Sequence, residues 1–235
     1  AGELTPRIED HALIGDMHTA ALVTKDGSID WLCLPAFDSD ACFAALVGTA
    51  DNGRWRIAPT VPVKVARRRY RKDTLILETD FVSESGTVRL VDFMPPRRGR
   101  KYSQVCRSLR CLEGTVPVRS EVSPRFAFGR AVPSVVPVDG ATKMFAGPDA
   151  LYLRGGPAEG SPLLSAEFRL SQGDEVSYSL SYGLSYEEPP QEDDVTQAEC
   201  DTEEFWTRWC STLRVPSFYR DTVIRSLITL KALTY

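Results

Sequence analysis

Eleven residues from Val176 to Tyr186 alternate without a break. Val176, Tyr178, Leu180, Tyr182, Leu184 and Tyr186 fall on one parity, and Ser177, Ser179, Ser181, Gly183 and Ser185 on the other. Successive side chains of a strand point to opposite faces, so this segment is a strand with one buried apolar face. Its second face, built from small residues, is either solvated or closely covered. A strand of this length requires a large sheet around it, which sets the class of the whole chain.

Shorter segments of the same period fill the region from Gly53 onward. Trp55 and Ile57 alternate with Arg54 and Arg56, and Val63 and Val65 with Pro62 and Lys64. Leu75, Leu77 and Phe81 share one face and Ile76 and Val82 the other, which suits a strand covered on both sides. Ser83 to Gly86 turns the chain into Thr87 to Phe93, closed by Pro95 and Pro96. Val105 to Leu112 and Val116 to Val122 read as two strands around the turn Glu113-Gly114-Thr115. Thr142 to Phe145 and Leu151 to Arg154 are weaker strands. About ten strands need two packed antiparallel sheets to bury their alternating faces. The predicted fold is therefore mainly β, an antiparallel β-sandwich over residues 1–188. The chain is 235 residues long and 43% hydrophobic, enough for such a core.

The composition changes after Glu187. Glu188-Pro189-Pro190-Gln191-Glu192-Asp193-Asp194 is acidic and proline-bearing, a linker that breaks the sheet. A linker helix follows, capped by Asp193 or Asp194, with Ala198, Phe205, Trp209 and Leu213 as its apolar side; Pro216 stops it. Residues 189–216 thus form a linker and linker helix. Residues 217–235 form a second helix with apolar residues at 223, 224, 227, 228, 230 and 233, a stripe wider than one supporting surface buries. Self-association of the isolated chain through residues 217–235 is expected.

Near the amino terminus, Ala20 to Thr24 and Ser28 to Leu34 read as a hairpin around Lys25-Asp26-Gly27. Strict alternation places Ile29, Trp31 and Cys33 on one face and Asp30 and Leu32 on the other. Pro35 ends the ladder, and Phe37 sits beside the cluster Asp38-Ser39-Asp40. An aromatic ring among carboxylates is the mixture a sugar site uses, stacking the ring's apolar face and accepting hydroxyl hydrogen bonds. The same residues have a structural reading: Trp31 buried, Phe37 a loop anchor, and carboxylates capping a helix over Ala41 to Gly48.

Charge and motifs narrow the function further. A net charge of −4 gives no general attraction to nucleic acid or anionic membranes, and no apolar run approaches the roughly 18 residues of a membrane-spanning helix. Six cysteines without a C-x-x-C pair suit reduced thiols and a cytoplasmic setting, although the visible chain carries no address. Cys106 and Cys111, an odd number of positions apart, should face opposite ways. His11 and His18 make a poor zinc site, so no metal or cofactor is expected. The run Arg67 to Lys72, with Tyr70 inside it, reads as a solvated or an interdomain salt-bridging strand. Arg97 to Lys101 reads as an exposed loop. None of the carboxylates stands in a recognisable acid/base motif of a glycosidase.

Several segments carry a family resemblance. Ile14-Gly15-Asp16, Thr19 to Val23 and Asp26 to Ser39 resemble the amino-terminal domain of bacterial and archaeal glycoside hydrolase family 15 proteins, the glucoamylase- and trehalase-like group. Gly53-Arg54-Trp55, Arg69-Tyr70-Arg71, Thr74 to Thr79, Val91 to Pro95, Pro124-Arg125-Phe126 with Gly129-Arg130, and Phe205 to Trp209 follow in the family's order. The family usually has arginine and proline where this chain has Ala36 and Asp40. The resemblance implies a β-sandwich that supports an (α/α)6 barrel, with residues 217–235 as the barrel's first helix. It places both catalytic glutamates in that carboxy-terminal barrel, beyond Tyr235, so no catalytic residue is assigned here and the chain alone is expected to be inactive. It implies a parent that hydrolyses α-glucosidic bonds with inversion, either glucoamylase-like or an α,α-trehalase. The expected partners are the chain's own carboxy-terminal catalytic domain and an α-glucoside. Asp30, Trp31, Pro35, Phe37 and Asp38 become candidates for a substrate-proximal or interdomain surface. The rival reading is a free-standing carbohydrate-binding module with Trp31, Phe37 or Trp55 as its stacking platform.

Overall fold

A computed structural model describes residues 6–97, 99–138, 140–157, 164–191 and 194–234. Among the described residues, fourteen strands, all paired antiparallel, form two layers. The first holds β1 (Ala12–Gly15), β2 (Ala20–Val23), β3 (Ser28–Cys33), β4 (Ala41–Phe43) and β5 (Arg54–Pro59). The second holds β6 (Val63–Tyr70), β7 (Leu77–Ser83) and β8 (Gly86–Phe93). One long strand, β9 (Gln104–Ser123), belongs to both. It is followed by β10 (Ser134–Val138), β11 (Ala141–Ala146) and β12 (Asp149–Gly155) in the second layer, β13 (Ser165–Ser171) in the first, and β14 (Glu175–Leu184) in the second. The expected β-sandwich is present, and the alternation from Val176 holds as far as Leu184, with Tyr178, Leu180 and Tyr182 entering the core; the strand ends there, and Tyr186, expected on the buried face, is exposed beyond it. The serine face is closely covered, with Ser179 and Ser181 buried.

Two expectations change. Val105 to Leu112 and Val116 to Val122 are not separate strands joined by a hairpin. They are the two halves of β9, whose first half pairs with β8 and β14 and whose second half pairs with β5 and β13. Gly114 does have a positive φ, but its role is to let the strand bend between layers. It packs against β8 so tightly that a Cβ there would lie 2.2 Å from the Ser85 carbonyl. The segment Ala41 to Gly48 is not a helix; β4 pairs with β3 there, and a short 3-10 turn spans Ala45–Val47.

A bulge also alters β3. Leu22 pairs with Trp31 but Val23 pairs with Ile29, leaving Asp30 as the extra residue. The alternation therefore slips. Ile29 and Leu32 face the main core, whereas Trp31 packs with Cys33, Ala41 and Ala44 on the other side.

An ion pair lies in the core between the layers. Arg107 and Asp92, cross-strand partners on β9 and β8, are both fully buried. The guanidinium donates to Asp92 at 2.7 and 3.3 Å, to the Trp55 carbonyl at 2.7 Å and to the Gly27 carbonyl at 2.8 Å. It also lies over the Trp55 ring, 5.0 Å from the centroid. One side chain thus ties the second layer to a turn and a strand of the first. Cys106 and Cys111 do face opposite ways, the former outward and the latter into the core.

Asp194 caps the linker helix (Val195–Ser211), its side chain accepting from the Thr196 and Gln197 amides. The buried line along this helix is Ala198, Thr202, Trp206 and Cys210, not the expected Ala198, Phe205, Trp209 and Leu213. Ala198 meets Ile76, Val91 and Phe93 on the outer face of the second layer, and that contact fixes which side turns inward; Phe205 and Trp209 flank the line half-buried. The terminal helix (Arg220–Ala232) starts later than Ser217. It packs Ile224, Ile228 and Ala232 against Leu75, Trp206 and Cys210. Leu230 and Leu233 remain 62% and 49% exposed. No helix among the described residues is long and apolar enough to cross a membrane.

Candidate functional site

The loop after β3 is held by a network reaching from two other segments. Asp16, fully buried in the β1–β2 turn, accepts from the His18 and Thr19 amides through Oδ1, both at 3.0 Å. Its Oδ2 accepts from the Ser103 hydroxyl at 2.5 Å and lies 3.5 Å from Arg97 Nε. Arg97 also donates to Ser103 Oγ and to the Pro35 carbonyl. Thr19 donates to the Cys33 carbonyl at 2.5 Å, and the Phe37 amide donates to the His18 carbonyl at 3.0 Å. Within the loop, Ala36 N reaches Ser39 Oγ at 3.1 Å, and the Leu34–Pro35 peptide is cis.

The result is a short rigid loop displaying Phe37 and Asp38, both exposed at its tip. Arg97, expected in an exposed loop, is instead a mostly buried clamp, because its guanidinium finds Asp16 and the loop carbonyl; Arg98 lies outside the described residues. Cys33 beneath the loop is no nucleophile: burial, then the charge of Asp40, pushes its thiol up to about 11.

Asp30 stands apart from this loop. It is buried near the start of β3, accepts from the Ser28 hydroxyl, and lies 3.7 Å from His11 Nε2. It lines a cleft of about 770 Å³ with Asp10, Asp26, Asp51 and Arg54. The five candidate residues therefore separate: Pro35, Phe37 and Asp38 form one surface, Trp31 packs half-buried nearby, and Asp30 belongs to the opposite end of the strand. Trp55 is fully buried in the core, which removes it as a stacking platform. The residues missed from sequence are Arg97 and Ser103. Asp16, in contrast, sits in a motif already singled out.

The carboxylates and arginines of the second layer's outer face meet one another. Arg69 pairs with Glu78 and Asp80 at 2.6 and 3.0 Å, and Arg89 with Asp80 at 2.6 Å. Arg71 reaches Glu78 on β7 at 3.1 Å and Glu199 and Glu203 on the linker helix at 2.7 and 2.6 Å; Arg110 joins Glu199 at 2.6 Å. Burial opposes charge on Arg71, yet Glu199 and Glu203 more than offset it and raise its pKa. Burial likewise opposes charge on Asp80, but Arg89 and Arg69 win and lower its pKa. On the other parity, Arg68 donates to the Asp10 and Val23 carbonyls, and Tyr70 exchanges hydrogen bonds with the backbone of Leu13. Of the two readings of the basic run, the salt-bridging one is present, with the partners on the neighbouring strand and on the linker helix, which it fastens to the sheet.

The chain is similar to known proteins in sequence and in fold. Residues 1–159 match the family described as trehalase-like, N-terminal. Trehalases of Mycobacterium tuberculosis and Thermoplasma volcanium are each 27% identical over 98% of the chain, which spans 38% of the length of each. Trehalase 2 of Sulfolobus acidocaldarius is 33% identical over 51% of the chain and 19% of its own length. A bacterial glucoamylase complexed with acarbose shares the fold, with a TM-score of 0.63 at 14% identity, covering 97% of this chain and 41% of that one. The family match extends over more than half of the chain, and the motifs it spans include the Asp16 turn and the clamped loop after β3: the chain belongs to the trehalase-like N-terminal domain family.

Proposed function

We propose that this chain is the non-catalytic β-sandwich portion of an inverting hydrolase of α-glucosidic bonds, with trehalose or a short α-glucan as substrate. On this reading it supports a carboxy-terminal catalytic domain of helix pairs, and residues 217–235 belong to that domain's first helix. The observation that carries the reading is the terminal helix. One side is bound to the sandwich through Ile224 and Ile228, through the Arg220–Asp73 ion pair at 2.9 Å and through Arg225, which lies 4.1 Å over the Tyr70 ring. The other side leaves Leu230 and Leu233 in solvent, with Phe218 and Tyr219 exposed just before the helix begins. Large apolar side chains left in water forgo roughly 1.5–3 kcal/mol each, so such a face is suited to a neighbouring helix. The Pro35–Asp40 loop, rigid and tipped with Phe37 and Asp38, is a second surface suited to that neighbour or to the mouth of its substrate cleft.

The carboxylates of the chain support a non-catalytic role. Asp16 accepts from three donors and lies 3.5 Å from Arg97 Nε, Asp26 accepts from Arg56 and Thr24, and Asp30 accepts from Ser28 and lies 3.7 Å from His11 Nε2. The test compares the 235-residue chain with a longer form carrying the following domain, assayed on trehalose, maltose and longer α-glucans. Hydrolysis is expected only from the longer form. Turnover by the short chain that survives repurification and disappears in Asp30→Ala or Asp38→Ala would refute the assignment.

A further inference from the structure

The outer face of the second layer carries a row of buried polar side chains, two of them with unmet hydrogen bonds. Gln104 on β9 pairs across the ladder with Ser181 on β14, and Ser181 pairs with Tyr152 on β12. Their chain neighbours Val105, Leu180 and Leu153 enter the core, so these three residues stand side by side on the opposite face. Gln104 is 3% exposed and Tyr152 is 0% exposed. Among the described residues, neither the amide oxygen nor the amide nitrogen of Gln104 has a hydrogen-bond partner, and the Tyr152 hydroxyl has none. Folded chains rarely leave buried polar groups in that condition, and where they do the position commonly serves a ligand or an ordered water.

Gln104 and Ser181 line a cavity of about 540 Å³, within the size range of small-molecule sites. It lies between the segment before β9 and the linker, with Tyr102, Tyr182 and Pro190 among its walls. Tyr102 and Tyr182 meet edge to face at 5.0 Å. The chemistry of the lining selects the ligand. An amide offers a donor and an acceptor together, and a serine hydroxyl does the same, so the natural complement is a group that also does both. Both cations of the lining are already engaged: Lys101 binds Glu187 at 2.7 Å, and Arg100 donates to the Pro96 carbonyl at 3.3 Å. Glu188 and Asp201, also on the wall, disfavour an anion.

We propose that this cavity binds a neutral polyhydroxylated ligand of monosaccharide or disaccharide size, with its hydroxyls meeting the Gln104 amide and the Ser181 hydroxyl. The site involves neither the Pro35–Asp40 loop nor the terminal helix. It stands independently of the supporting role proposed above.

The test uses the whole 235-residue chain, isotope-labelled, titrated with glucose and separately with trehalose to about 50 mM, far above a Kd of about 1 mM. The Gln104 side-chain amide resonances, assigned by their loss in Gln104→Met, should shift saturably, together with the backbone amides of Ser181 and Tyr182. Gln104→Met keeps the side chain's length while removing the unpaired amide. It is expected to melt at or above the wild-type temperature without sugar and to weaken binding about tenfold or more. Ser181→Ala, a smaller change, should weaken binding several-fold and serves if the first variant folds poorly. Unshifted Gln104 resonances with both sugars, including the case in which ordered water alone satisfies the amide, would overturn the proposal. So would unchanged affinity in both variants, or glucose 6-phosphate binding as tightly as glucose.

Discussion

Replacing Arg107 by methionine is the most informative single perturbation of the fold. The substitution keeps much of the aliphatic length but removes the charge that neutralises Asp92, leaving a carboxylate buried between two layers. It also strips donors from the Trp55 and Gly27 carbonyls. Breaking a buried pair by removing one partner costs about 3–5 kcal/mol, and each orphaned carbonyl adds about 1 kcal/mol or more. For a domain of this size the pair term alone lowers Tm by roughly 6–20 °C. The double variant Arg107→Met with Asp92→Leu removes the stranded charge and should recover a large part of the loss, since apolar replacement of a buried pair is often neutral. The single variant should also depend on pH. Burial already pushes the Asp92 pKa up while Arg107 opposes it. Without Arg107 the folded pKa rises further above the ordinary 3.8, so the deficit is full above the folded value and shrinks as pH falls toward 3.8. Urea unfolding of the wild type, both single variants and the double variant, closed as a cycle, measures all of this. A single variant within about 1 kcal/mol of wild type, or a double variant no better than Arg107→Met, would show that the pair does not join the layers as argued.

Three further outcomes are expected. In the longer protein, Phe37→Ala and Asp38→Ala should lower activity or melting by more than the roughly 0.5 kcal/mol of an ordinary surface change; wild-type kinetics and melting in both would remove the loop from the interface. The Arg220 hydrogen bond lowers the Asp73 pKa below 3.8, so its support of the terminal helix is complete above that value and lost as pH falls beneath it. Amide protection in residues 220–232, taken as exchange relative to the intrinsic rate at each pH, should therefore fall between about pH 5 and about pH 3, and Asp73→Asn should show the lower protection at both; wild-type protection that does not change over this range contradicts this. Finally, the chain should self-associate at raised concentration. Deleting residues 217–235 would uncover Trp206, so Leu230→Lys with Leu233→Lys is the cleaner change, and light scattering should find that variant monomeric. A wild-type chain that is monomeric throughout would count against the exposed face.

What the sequence made legible depended on the distance over which each feature is written. Val176 to Tyr186 and Gly86 to Phe93 declare themselves locally, because alternation and turn residues lie within a few positions. Gly114 misled for the same reason: a glycine with positive φ between two apolar runs reads as a hairpin, and only the partners β5 and β13 show it to be a bend in one strand. Ser134–Val138 escaped notice because Pro137 demotes a run, although an edge strand accepts it. At the loop, Pro35 and Phe37 were visible as an unusual string. The clamp was not, since Arg97 lies 62 positions from Pro35 and Ser103 lies 87 from Asp16. The linker helix shows the limit from another side. Trp206 and Trp209 both suit an apolar face, and only the outer surface of β7 and β8 chooses between them.

The shared strand β9 has a consequence for how the molecule assembles. Its second half must find β5, and Trp55 and Ser120 are 65 positions apart when they meet. Its first half is flanked by β8, reached through a local succession of hairpins, and by β14, which arrives much later in the chain. The region β6 to β8 can therefore form early and cheaply, while the first layer waits for a long loop to close. Because one continuous backbone is a central member of both layers, neither can be completed without ordering the strand that completes the other. Loss of either layer should unravel both, so the sandwich should unfold as a single cooperative unit, and a chain cleaved near Gly114 should yield two fragments that fold only in each other's presence.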